Sequence, residues 1–229
     1  MKKHSTLFAI SLITILALIL ALPALAESAP TAAPIGTSAP IPTKTMMERY
    51  QDVLEGKHSY IQCNTYDSIT TEAQFTSEPM QWYGYEFGTP MPFTAFCVTD
   101  LDADGSPEII LKLSQDFGFE LLRYENGAVY GFPFVARAMI DITLNGDIYG
   151  SSGAADNSWY QVRFHEGQYT LTDTCRMQST ETGGVQYFIG DKEVSQNEYE
   201  TFISGFTGKA RPTWIEFSAE NFADVVSRF

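Results

Sequence analysis

Cysteine, histidine and basic side chains are all scarce in this chain. Its 229 residues hold three cysteines, too few for a disulfide scaffold, and one of the three must lack an intrachain partner. Only 14 Lys and Arg stand against 28 Asp and Glu, a formal net charge of −14, which excludes nucleic acid as a partner because phosphate recognition needs a clustered cationic surface. There is no Gly-x-Ser-x-Gly turn, no phosphate-cradling glycine loop and no Cys-x-x-Cys, and His58 and His165 stand in no metalloprotease or triad-like spacing. No catalytic residue is therefore assigned. With 28 acids a hydrolytic carboxylate pair can be drawn almost anywhere, so a cell-envelope hydrolase stays as an alternative with no residues attached to it. What the chain does have is apolar content, 44%, enough for a core and too much for disorder as the main state. Its length fits one domain of ordinary size or two small ones.

The first 26 residues read as a secretory signal peptide. Lys2 and Lys3 precede an apolar run from Leu7 to Leu22, and Ala24-Leu25-Ala26 offers small residues for cleavage before Glu27. The competing reading is an uncleaved anchor, since the run approaches the ~20 residues that span a bilayer; Pro23 and the Ala-x-Ala site favour cleavage. The expectation is a secreted protein with no membrane association after cleavage. Residues 27–44 are rich in Pro, Ala, Ser and Thr and show no apolar period, as in an extended linker. The globular part is expected over 45–229.

Within it, Thr45-Met46-Met47-Glu48 has capping-box spacing, with Met46, Tyr50, Val53 and Leu54 on one helical face and Gly56 as a stop. From Phe93 onward, Asn126-Gly127, Asn145-Gly146 and Glu166-Gly167 each separate two strand-like runs, predicting an antiparallel meander. Ser195-Gln196-Asn197-Glu198 is a second capping box, opening a helix through Tyr199, Phe202 and Ile203 to Gly205. Trp214, Ile215 and Phe217 suit a short strand, and Ser218 caps a last helix with Phe222, Val225, Val226 and Phe229 on its face. The predicted class is α+β: a mostly antiparallel meander, one N-terminal helix and two C-terminal helices.

One motif carries chemistry: Asp100-Leu101-Asp102-Ala103-Asp104-Gly105-Ser106-Pro107-Glu108. Alternate carboxylates converge, Gly at the sixth position permits the sharp turn, and the seventh carbonyl points inward, as wrapping a hard cation requires. Glu at the twelfth position would mark a helix–loop–helix site, but Leu111 stands there, and both flanks are strand-like. The reading is a strand–loop–strand calcium site closed by Glu108.

Asp-x-Asp-x-Asp-Gly-x-x-Glu between apolar strands resembles the aspartate-rich calcium loops of FG-GAP and VCBS-type repeats. The stretch from Phe96 to Val129 looks like secreted bacterial proteins of unassigned function that carry one such loop. The Tyr187–Ser195 run before a helix fits the same pattern. The resemblance implies Asp100, Asp102, Asp104, the Ser106 carbonyl and Glu108 as Ca²⁺ ligands. One copy of the loop does not make a propeller, so that architecture does not carry over.

Cys97 reads as a buried packing residue, and a Cys63–Cys175 disulfide is left open. An alternative function rests on Trp82-Tyr83-Gly84-Tyr85-Glu86-Phe87, aromatics dense enough for an extracellular carbohydrate- or peptide-binding module, with Trp159-Tyr160 able to join it. A cell-surface glycan or protein would then be the partner.

Overall fold

Tight turns at Asn126-Gly127, Asn145-Gly146 and Glu166-Gly167 each join two antiparallel strands, as the sequence predicts. The computed structural model describes residues 43–63 and 70–229; the expected signal peptide and residues 27–42 of the expected linker lie outside them. Helix α1 (Thr43–Leu54) leads into β1 (Tyr60–Cys63), β2 (Thr70–Ala73) and the two-residue strands β3 (Gln81–Trp82) and β4 (Tyr85–Glu86). Next come β5 (Phe93–Thr99), β6 (Glu108–Leu113), β7 (Gly118–Glu125) and β8 (Ala128–Val135). A second series follows: β9 (Asp141–Ile142), β10 (Asp147–Ser151), β11 (Asn157–His165), β12 (Gln168–Ser179), β13 (Val185–Ile189) and β14 (Lys192–Val194). Helix α2 (Gln196–Thr207), β15 (Ile215–Glu216) and helix α3 (Ala219–Val226) complete the chain.

The first sheet has the order β15-β5-β6-β7-β8-β1-β2 and the second β14-β13-β12-β11-β10-β9, while β3 and β4 form a separate ribbon. Every pairing is antiparallel except β1 with β8. The fold is α+β, with the helices at the two ends of the described chain.

Strand alternation builds two cores from the first sheet. Ile109, Leu111, Leu113, Leu122 and Tyr124 face α1 and α3, where they meet Met46, Met47, Tyr50, Val53, Phe222, Val225 and Val226. Ile110, Phe119, Leu121, Phe132 and Phe134 point the other way, onto Ile142, Ile148, Tyr160, Val162 and Phe164 of the second sheet. Helix α2 closes the far side, with Tyr199 and Phe206 against Trp159 and Cys175. The layers therefore run helices, sheet, sheet, helix, and β7 is buried on both faces.

Three element boundaries differ from the sequence reading. Helix α1 starts at Thr43, so Thr45 lies inside its first turn, drawn onto the sheet by the buried pair Met46 and Met47. Helix α2 keeps its Ser195–Glu198 capping box but passes through Gly205 to Thr207. A helical glycine costs about 1 kcal/mol, and Phe206 offsets this by stacking on Trp159 at 4.3 Å between ring centroids. Helix α3, capped by Ser218 as expected, ends at Val226, which leaves Phe229 half exposed. All three cysteines are buried free thiols, with Cys63 and Cys175 in different core clusters. Among the described residues no helix is long and apolar enough to cross a membrane.

Candidate metal centre

The acidic loop joins β5 to β6 and sits where the two sheets meet. Asp100 shapes it: its carboxylate accepts the backbone N–H of Asp104 at 3.1 Å and of Gly105 at 2.9 Å. Asp104 does the same for Ser106 N–H at 2.8 Å. The turn places Ala103 and Gly105 in the left-handed region, at φ 56° and 89°; glycine adopts that conformation freely, and alanine does so at a cost of order 1 kcal/mol.

Packing from four directions fixes the loop. Leu101 is buried in the core between the sheets. A Cβ added at Gly146 would lie 1.9 Å from the Leu101 carbonyl oxygen, so only glycine lets the β9–β10 turn approach this closely. From β11, the Arg163 guanidinium donates to the Asp102 carbonyl oxygen and Phe164 N–H reaches Asp102 Oδ2 at 3.4 Å. From α1, the Tyr50 hydroxyl donates to the Pro107 carbonyl at 2.9 Å and accepts Tyr124 N–H at 2.7 Å.

Of the four expected carboxylate ligands, three converge. Asp100, Asp102 and Glu108 each present a carboxylate oxygen, all within 4.8 Å of one another. Oxygens 2.3–2.6 Å from one Ca²⁺ lie at most about 5 Å apart, so this spacing suits a single hard cation. Asp102 and Glu108 are buried, at 7% and 0% exposure. Asp104 stands outside the trio, with one oxygen on Ser106 N–H and the other on Arg123 Nη2 at 2.5 Å. Ser106 lies within the loop and is half-buried.

Arg123, on β7, is the residue that motif reading misses. It pairs with Asp104 and Glu108 and lies 3.5 Å from Asp102, with its side chain only 6% exposed. Burial pushes the Glu108 carboxyl upward, against the pull of Arg123 and of Leu101 N–H at 2.7 Å. Burial also raises Asp102, with Arg123 opposing. Asp104 is the reverse case: burial would raise it, but Arg123 and Ser106 N–H outweigh that and hold it low. Burial opposes the Arg123 charge too, yet Asp104 and Glu108 fix it as a cation. Three carboxylates thus meet one guanidinium and Asp100 adds a fourth to the loop, and the excess negative charge is what a divalent ion would balance.

Comparison with family models, with curated proteins and with solved structures returned no match.

The aromatic cluster divides. Trp82 is 3% exposed, and its indole N–H donates to Glu120 Oε2 at 2.8 Å. Tyr85 is half exposed, edge-on to Phe117 with ring centroids 5.2 Å apart. Trp159, the other tryptophan considered for a binding face, is sandwiched within the α2 cluster. The tryptophan faces that would stack on a sugar are therefore spent on packing.

Proposed function

We propose that the Asp100–Glu108 loop binds calcium and that the ion acts as a structural staple in a secreted protein. The observation that supports this is the convergence of oxygens from Asp100, Asp102 and Glu108 within 4.8 Å, two of these carboxylates being buried. Burying a carboxylate without compensating charge is costly, and Arg123 on the carboxylates with Arg163 on the Asp102 carbonyl supply two positive charges for four acids. Calcium suits the set because it accepts six to eight oxygens in irregular arrangements, so three carboxylates can be completed by carbonyl oxygen and water. Extracellular modules of this type bind at ~10⁻⁴–10⁻³ M, an affinity adequate outside the cell. The signal-like composition of residues 1–26 supports that location.

The anchoring supports a staple rather than a sensor. Loop contacts run to β7, β11 and α1, all parts of packed cores, and an ion shifts an equilibrium only between states that it binds differently. The test is thermal melting in calcium against chelator. The folded state alone should bind, so calcium should raise the midpoint, and Asp102→Ala should abolish the response. Superimposable wild-type curves in calcium and chelator would overturn the reading.

A further inference from the structure

We propose that Arg123 is the loop's resident counter-ion: it keeps the acidic loop closed before a divalent cation arrives and, by sharing the carboxylates, sets the cation affinity low. The inference rests on the calcium reading above and deepens it, naming what regulates the affinity of that site.

Geometry gives Arg123 this role. The β6–β7 register pairs Ile110 with Leu121 and Ile109 with Leu122, so one step further Glu108 meets Arg123 on the face between the sheets. The guanidinium then reaches Asp104 at 2.5 Å, Glu108, and Asp102 at 3.5 Å. Asp104, an expected ligand, is engaged by the guanidinium and does not join the carboxylate trio.

Arg123 has no route out when a cation enters. Its side chain is 6% exposed, the Phe164 ring lies 5.4 Å from the guanidinium carbon, and its Nε is buried with no hydrogen-bond partner. A guanidinium held at the expense of an orphaned N–H is fixed by its carboxylates, and swinging it elsewhere would bury it unpaired. An incoming cation therefore approaches from the solvent side, where Asp104 is 39% exposed, and binds beside an immobile positive charge. Like charges at such separation repel strongly in a partly buried site, which weakens binding.

Calcium titration by calorimetry, together with melting in chelator and in calcium, on the wild type, Arg123→Met and Arg123→Lys tests this. Arg123→Met should bind calcium roughly tenfold tighter or more, should melt well below the wild type in chelator, and should recover much of that loss in calcium. Arg123→Lys keeps the charge with a compact head, so it should fold without calcium and bind it close to wild-type affinity. Should Arg123→Met fold only in calcium, its dependence on the ion supports the proposal directly. Wild-type binding with Arg123→Met no tighter overturns the counter-ion role and leaves the calcium reading standing. Binding by Arg123→Met alone supports the counter-ion role and overturns calcium occupancy of the natural loop. Binding by neither overturns both.

Discussion

Glu108 and Arg123 form an ion pair across adjacent strands on the face between the two sheets, with side chains 0% and 6% exposed. Each also holds a second group: Glu108 accepts Leu101 N–H at 2.7 Å, and Arg123 binds Asp104 at 2.5 Å. The pair therefore ties β6 and β7 to the loop. Removing one member of a buried pair strands its partner, at a cost of about 3–5 kcal/mol. Glu108→Leu should lose stability on that scale in denaturant unfolding. A loss below about 1 kcal/mol would mean that the pair contributes nothing beyond its volume.

The acids of this pair and loop were legible in the sequence, whereas the base was not. Asp-x-Asp-x-Asp-Gly-x-x-Glu stands out because it needs no tertiary information: its own side chains turn the backbone. The hairpins were legible for the same local reason, Asn126-Gly127 and Glu166-Gly167 both adopting positive φ at each residue. Arg123 is set by long-range geometry. In Leu121-Leu122-Arg123-Tyr124 a charge flanked by apolar residues looks like the solvent side of a strand, until a second sheet covers that side. Apolar residues at both parities of β7 were the available signal, because a strand buried on both faces must give an internal charge a partner. The α2 end point was missed through a similar long-range contact, Phe206 on Trp159.

Tyr50 is the bond between α1 and the loop. Its hydroxyl serves the Pro107 carbonyl and Tyr124 N–H together, and the residue is fully buried. Tyr50→Phe leaves both backbone groups without that partner. The expected cost is about 1–3 kcal/mol in denaturant unfolding, with the calcium response reduced because Pro107 is freed. An unchanged midpoint would show that the hydroxyl is dispensable.

Glu120 should make stability fall as pH rises. It is 1% exposed, its Oε2 accepts the Trp82 indole N–H, and its Oε1 is buried without a partner; burial pushes its carboxyl up to about 8. A carboxyl raised in the folded state stays protonated there while the unfolded chain, near its ordinary value of 4.5, has already ionised. Its contribution is therefore fully present below about pH 4.5 and is lost progressively up to about pH 8, by at most about 1.4 kcal/mol per pH unit. Glu120→Gln keeps an acceptor for the Trp82 indole and cannot ionise. Its unfolding free energy should exceed the wild type's by a few kcal/mol at pH 8, with the gap closing towards pH 4.5. A gap independent of pH would remove the buried carboxyl as its cause.

Calcium removal should loosen the loop and little else. The amides most dependent on loop geometry are those of Asp104, Gly105 and Ser106, each bonded to an aspartate carboxylate whose repulsion from its neighbours grows when the ion leaves. Leu101 N–H should hold, since Glu108 stays paired with Arg123 and both are buried. The next elements to feel the change are those bonded directly to the loop: Tyr124 through Tyr50, and Phe164 through Asp102. Hydrogen exchange in calcium and in chelator should therefore lose protection over about residues 102–106, weakly at 124 and 164, with Leu101, the outer strands of the second sheet and α2 unchanged. Local opening of this kind draws on the low-stability end of the fold. A change that instead spread to the Trp82–Phe87 ribbon or to α2 would mean that the ion biases a surface remote from it. The loop would then be a switch for a binding face, and the staple reading would have to be given up.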